Sequence, residues 1–351
     1  MDIEEAIAHF EKLNDLRIAD YCTAGNRKKN SKVDNLISYE VFEDNINKWL
    51  SMTSNDELKE EMLLLLSNFR YLTDDEFEWQ IGNIVDEVLN DSSLSIDRVL
   101  FLLIPSKKYC ESGSTYLNYK ISKLYRGEIS INNIRTFAPL SDLDDSKNDV
   151  LMEEQTKLSK TELLEKYAKD MRINIDDFDA IVFVDDIIGS GSTIYKYIKS
   201  FVNAYPTVQN KKVYLSCICA NESLLSNKIE EIEKDIVHFR KTVCAIFQKK
   251  CYTEQMISDN IDLIRELEEL IERNSEDNET SPCVMGFREG QFLIAFFYNT
   301  PNNTLSLFWR KTEVSPYPLF IRNRQTRPTI DKLNEIRQIN RANSYNMGRR
   351  E

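Results

Sequence analysis

Ile181-Val182-Phe183-Val184-Asp185-Asp186-Ile187-Ile188-Gly189-Ser190-Gly191-Ser192-Thr193-Ile194 is the stretch whose reading decides the fold. Its apolar start reads as a strand buried on both faces of a parallel sheet. Two adjacent carboxylates follow at the C-terminal end, which is where open α/β sheets bind ligands. A loop of small residues comes next, then a helical pattern of Ile194, Ile198, Phe201 and Val202. Gly189 and Gly191 can adopt positive φ and let backbone amides approach an anion. The helix beginning near Ser192 points its positive end at the same place, and Ser190, Ser192 and Thr193 add hydroxyl donors. The segment is a cradle for one phosphate with two acids beside it. Carboxylates do not bind phosphate, so Asp185 and Asp186 serve either sugar hydroxyls or a hard divalent cation. A Walker A loop is excluded because no Gly-Lys-Ser/Thr is present.

Working outward, two more apolar runs resemble this strand: Val99 to Ile104, ending at Pro105, and Val213 to Ile218. Helical patterns lie between them, including Leu163, Leu164, Tyr167 and Met171. Strands alternating with helices predict an α/β fold with a doubly wound, mainly parallel sheet. The N-terminal third reads as helical. Its periodic sets are Ile7, Phe10, Leu13 and Ile18; Val41, Phe42, Ile46 and Leu50; and Leu58, Met62, Leu65 and Leu66. Asp74 and Asp75 look like the cap of a further helix that carries Phe77, Ile81 and Ile84. After the sheet, Ile264, Leu267 and Leu270 mark an amphipathic helix. Phe292 to Tyr298 and Leu305 to Trp309, flanking Asn299 to Thr304, read as a C-terminal β-hairpin. The expected organisation is a helical N-terminal region (1–95), an α/β core (96–310) and a basic tail (311–351).

With 42% hydrophobic residues over 351 positions, the chain can bury a sizeable core. A net charge of -13 means its overall field does not hold nucleic acid. The stretch from Arg322 to Glu351 is the exception, with eight basic against three acidic residues. It either touches RNA or DNA or docks on the acidic body of the same chain. Arg27-Lys28-Lys29 reads as an exposed loop. The seven cysteines are scattered without C-x-x-C spacing and read as reduced thiols. The acidic start of the sequence lacks an apolar signal stretch, and no segment has the roughly 20 apolar residues of a membrane span. A cytoplasmic protein without a membrane role is therefore expected.

The segment from Val184 to Thr193 resembles the PRPP-binding motif of type I phosphoribosyltransferases, where PRPP is 5-phosphoribosyl-1-pyrophosphate. The likeness runs through the apolar residues, the two acids, and Ser190-Gly191-Ser192-Thr193. It implies that Asp185 and Asp186 are the catalytic-site acids, holding the ribose 2- and 3-hydroxyls directly or through Mg²⁺. It also implies that Gly189, Ser190, Gly191, Ser192 and Thr193 hold the 5-phosphate. Ser112-Gly113-Ser114-Thr115 repeats the same tetrapeptide after the first core strand, at the place of the family's pyrophosphate loop. Lys107, Lys108, Ser112, Gly113 and Ser114 would then be substrate-binding, unless the repeat is a coincidence of small residues. The segment expected to be the catalytic loop, Ala138 to Val150, departs from the family pattern. It is acidic and offers only Lys147 as an acid-base group.

The helical extension, Gly286-Phe287-Arg288 and the asparagine-rich turn Asn299 to Thr304 together resemble phosphoribosyltransferase-like proteins of bacterial conflict systems. These include anti-phage defence loci and some retrons. That likeness implies a defence effector, with a partner such as a reverse transcriptase and its RNA or DNA. Three roles follow: a Mg²⁺-dependent transferase or hydrolase acting at the anomeric carbon, a non-catalytic PRPP or nucleotide sensor, or an effector gripping nucleic acid through its tail.

Overall fold

The computed structural model describes residues 1–15, 39–104, 113–130, 133–135, 173–248, 250–252, 260–275, 283–320 and 322. Among them, five strands form a parallel sheet in the order β3-β2-β4-β5-β6. They are β2 (Val99–Leu103), β3 (Ile134–Arg135), β4 (Ala180–Ile188), β5 (Lys212–Asn221) and β6 (Lys241–Gln248). The doubly wound parallel α/β fold expected from the apolar runs is therefore present. The chain leaves β2 for β3 on one side and returns to β4 on the other. This order reverses direction between β2 and β4, so their C-terminal ends flank a topological switch point.

Helices cover both faces of the sheet. α4 (Asp74–Ser92) and α5 (Gly113–Leu124) bury Phe77, Ile81, Val85, Leu117 and Ile121 with Val99, Phe101, Ala180 and Val182. On the other face, α6 (Ser192–Ala204) and α7 (Glu222–Asp235) bury Ile194, Ile198, Phe201, Leu225 and Ile232 with Leu100, Leu102, Ile181 and Phe183. The period-2 alternation of β2 and β4 divides their residues between these two clusters.

A third cluster lies beside the sheet. α1 (Ile3–Asn14), α2 (Tyr39–Leu50), α3 (Asp56–Ser67) and α8 (Ile261–Arg273) pack there around Phe10, Trp49, Phe69 and Phe308. Local chemistry sets the helix starts. Asp2 and Glu5 form a capping box on α1, and the Asn55 side chain accepts from Leu58 N on α3. α4 is capped by Thr73, whose Oγ1 accepts from Glu76 N at 3.2 Å. Asp74 and Asp75, expected as its cap, lie in its first turn, where they complement the helix dipole.

Two departures from expectation bear on the site. First, the N-terminal third is not purely helical. β1 (Arg70–Leu72) pairs in parallel with β7 (Ile294–Phe296). This ladder joins two clusters, because Tyr71 and Ala295 face the third cluster while Leu72, Ile294 and Phe296 face the α4–α5 side of the sheet. Second, the expected hairpin is absent. Only Ile294–Phe296 is a strand, and Ser306–Phe308 is a 3-10 turn. The cause is Glu268 on α8. Its buried carboxylate accepts from Ser306 N and Oγ at 3.0 and 2.8 Å and from Leu307 N at 2.6 Å, so these amides are unavailable to a strand ladder. Residues on both sides of position 95 share the α4–α5 cluster. Of the other expectations, Arg27 to Lys29, Ala138 to Val150, Leu163 to Met171 and the tail beyond Arg322 lie outside the described residues.

Candidate functional site

β4 carries the two acids within its last turn of pleat, since the strand continues to Ile188. Its alternation sends Asp185 toward the α6 face and Asp186 toward the α5 face. Asp185 sits in register with Cys217 on β5, and its Oδ1 accepts from Asp186 N at 2.9 Å. Burial holds the Asp185 carboxyl well above the ordinary carboxylate range, and the neighbouring charge of Asp186 adds to the effect.

Asp186 is fixed from three directions. Its Oδ1 accepts from Ile187 N at 2.9 Å, and its Oδ2 accepts from the Tyr298 hydroxyl at 2.5 Å. The first residue of α5, Gly113, lies so close that a Cβ there would fall 1.9 Å from Asp186 Oδ2. Tyr298 is itself held. Its ring stacks on Tyr116 at 4.3 Å and on Phe296 at 5.4 Å, with the edge of Phe77 at 5.5 Å. Burial, then the charge of Asp186, push its phenol well above the usual range.

The loop after the acids has the form a phosphate cradle needs. Gly191 is the N-cap of α6 with φ +69°, and no side chain caps that helix, so its first-turn amides are left without a capping acceptor. Ser190 Oγ and Ser192 Oγ lie 3.3 Å apart, while Thr193 is exposed on the first turn. The Tyr197 hydroxyl donates to Leu103 O at 3.1 Å, which ties α6 to the end of β2. Ile104 N donates to Val184 O at 3.0 Å, which joins the two strand ends at the switch point. Gly113 and the buried Ser114 open α5 on the same side. The repeat of small residues therefore brings a second helix start to Asp186. Lys107, Lys108 and Ser112 lie outside the described residues.

Three residues reach this loop from the C-terminal block, and the sequence assigned none of them a role. Tyr298 binds Asp186. Asn303 packs its amide against Gly189, where a Cβ would meet Nδ2 at 2.3 Å. Arg288 Nη1 donates to Ser190 Oγ at 3.4 Å. The signal in the sequence was Gly286-Phe287-Arg288 and the asparagine-rich turn 299–304, which hold Arg288 and Asn303 far from the loop along the chain; nothing there marked Tyr298.

The chain matches the PRTase-CE family over residues 46–322, which is most of its length. It belongs to that family. PRTase-CE is phosphoribosyltransferase-like, and membership implies a ribose phosphate small molecule as ligand. No curated protein matches the sequence. The family match spans both the sheet and the C-terminal block that meets the loop. Among the described residues no helix is long and apolar enough to cross a membrane. Nor do three or more His, Cys, Asp or Glu side chains there form a group that could hold a metal ion. The residues that would hold a divalent cation here are Asp185 and Asp186, oxygen donors of the kind Mg²⁺ takes.

Proposed function

We propose that this PRTase-CE protein binds PRPP, or a closely related ribose phosphate, with Mg²⁺ in the crevice between the ends of β2 and β4. The observation that carries the proposal is the uncapped start of α6 at Gly191, directly after two acids at a topological switch point. Ser190, Gly191, Ser192 and Thr193 hold the 5-phosphate through amides and hydroxyls. Asp185 and Asp186 face the ribose hydroxyls and share the cation. Relieving like-charge repulsion within this half-buried pair is what a cation does best there. The substituted anomeric carbon is the electrophile such a site presents. Chemistry at it breaks the bond from C1 to the pyrophosphate oxygen and forms one from C1 to the acceptor.

Calorimetric titration with PRPP and Mg²⁺ tests the proposal, using wild type beside Asp185→Asn/Asp186→Asn. Saturable binding that the double variant loses is the expected result. A folded wild-type protein that takes up no PRPP would overturn it. Release of pyrophosphate from PRPP in the presence of candidate bases then separates an enzyme from a sensor. The defence role is supported by the resemblance of the helical extension, Gly286-Phe287-Arg288 and the asparagine-rich turn. Inspection of the neighbouring genes tests it: a reverse transcriptase gene beside this one is the expected result, and a neighbourhood of nucleotide-biosynthesis genes would count against it.

A further inference from the structure

We propose that Arg288 is the cation that grips the phosphate in the Ser190–Thr193 cradle, so that the C-terminal block forms part of the ligand site. The inference rests on the ribose-phosphate reading above and extends it to a residue outside the loop.

The cradle has a charge problem. Val184 to Thr193 contains two acids and no basic residue. A phosphate monoester brought beside Asp186 needs a compensating cation. Lys228 is close, since its methylenes pack against Gly191, but its ammonium pairs with Glu231 and lies 5.4 Å from the Tyr195 ring centroid. Arg288 is differently placed. Its Nη1 reaches Ser190 Oγ at 3.4 Å, and its guanidinium lies 5.4 Å from the centroid of the neighbouring Phe287 ring. No carboxylate among the described residues pairs with it. Its neighbour Glu289 turns instead to Arg265 at 3.2 Å. An exposed guanidinium can keep one N–H on Ser190 and present the rest of its planar fork to phosphate oxygens.

The backbone that presents Arg288 is built for a fixed position. Met285, Arg288, Glu289 and Gln291 all have φ between +53° and +56°, and Gly286 has φ +77°. Four left-handed non-glycine residues within seven positions persist only where the surroundings over-determine them. Here they do. Phe287 N donates to Asn302 O at 2.7 Å, Gln291 N to Met285 O at 2.9 Å, and Phe292 N to Asn303 O at 3.0 Å. Met285 N donates to the buried Glu268 carboxylate at 3.0 Å. The Asn303 side chain fills the space between this segment and Gly189, with Nδ2 donating to Phe287 O at 3.3 Å. The strained segment, the asparagine and the cradle are one packed unit, and the group it holds out over Ser190 is a guanidinium.

Calorimetry with inorganic phosphate, ribose 5-phosphate and PRPP tests this, comparing wild type with Arg288→Gln, Arg288→Lys and Asp185→Asn/Asp186→Asn. Arg240→Gln, which removes an exposed charge paired with Asp91 beyond the opposite end of the sheet, is the control. Arg288→Gln should weaken all three ligands by about 10- to 100-fold, as expected for losing a charge-assisted hydrogen bond. Arg288→Lys should recover part of the loss, and the control should bind as wild type does. If wild type binds ribose 5-phosphate and Arg288→Gln binds it equally, the role of Arg288 is refuted while the ribose-phosphate reading stands. If inorganic phosphate binds in an Arg288-dependent way but the ribose adds nothing, Arg288 is upheld and the ribose-phosphate reading fails. Wild type that binds none of the three overturns both. Arg288→Lys keeps the charge and the backbone, so it provides the comparison should the Gln variant fold poorly.

Discussion

Gly113→Ala is the substitution on which local and tertiary reasoning disagree most sharply. Gly113 opens α5, and helix propensity alone favours alanine over glycine by up to about 1 kcal/mol. The site predicts the opposite sign. The new Cβ would fall 1.9 Å from Asp186 Oδ2, 2.0 Å from Cγ and 2.6 Å from Cβ, so the whole carboxyl must move or α5 must lift. Asp186 is a short side chain held by Ile187 N and the Tyr298 hydroxyl, and it has no flexible stem with which to yield. Moving it strands the hydroxyl of Tyr298, a buried residue, at a cost of about 1–3 kcal/mol. We therefore expect a net destabilisation of about 2 kcal/mol in urea or thermal unfolding, together with loss of ribose-phosphate binding. A double-mutant cycle with Tyr298→Phe locates the cause. If the Tyr298–Asp186 bond carries the effect, the two substitutions together cost clearly less than the sum of each alone. A Gly113→Ala protein as stable as wild type, or more so, would refute the claim that α5 is seated against Asp186.

Two further predictions concern groups that hold the site in place. Tyr298→Phe removes only a hydroxyl from a ring that keeps its stacking on Tyr116 and Phe296, and should cost about 1–2 kcal/mol of stability. It should also weaken ribose-phosphate binding severalfold, by freeing the Asp186 rotamer; calorimetry showing unchanged affinity would make Tyr298 a purely structural residue. Glu268, fully buried, has its pKa pushed up to about 7 by desolvation, against the pull of four hydrogen bonds from Leu307 N, Ser306 N, Ser306 Oγ and Met285 N. Between about pH 4.5 and 7 the native state keeps a proton that the unfolded chain has lost, so this group's contribution falls as pH rises through that window and levels off above it. The drop is on the order of 3 kcal/mol, and Glu268→Gln should lack it. Unfolding curves for the two proteins that run parallel from pH 4.5 to 7 would contradict this assignment.

The central sheet was legible because burial on both faces writes itself as unbroken apolar runs. Val99 to Leu103 and Ala180 to Val184 are buried throughout. β6 was not legible, because as an edge strand it leaves most of its residues half-buried and shows no such run. β1 was missed for another reason. Three residues between two helices carry too little periodicity to be seen, and its pairing partner lies more than 200 residues away. The hairpin misreading is the most instructive. Leu305, Leu307 and Phe308 have strand-like composition, and nothing nearby in sequence shows that a carboxylate from α8 will claim the Ser306 and Leu307 amides. The cradle itself could be read locally because its chemistry lies within one contiguous stretch. Tyr298, Asn303 and Arg288 could not be placed, because their roles depend on a fold that returns the chain to Gly189.

That return explains what the N-terminal third does for the site. The block from Met285 to Trp309 does not hold its own position. β7 is fixed by β1, with Arg70 N donating to Leu293 O at 2.8 Å and Phe297 N to Leu72 O at 2.8 Å. Trp49 Nε1 on α2 donates to Leu307 O at 2.9 Å, and the ring of Phe308 lies 4.5 Å from that of Phe69. Glu61 on α3 accepts from the Tyr252 hydroxyl, while Glu268 binds Met285 and Ser306. The helices before the sheet and the block after it are thus two halves of one core, and the surface that core turns toward the sheet carries Tyr298, Asn303 and Arg288. The phosphate cradle is a loop of the α/β sheet, but the residues that lock its acid and face its serine are positioned from outside the sheet. A change in the packing of α1 to α3 would therefore reach Asp186 through β1, β7 and Tyr298, without any contact between those helices and the ligand.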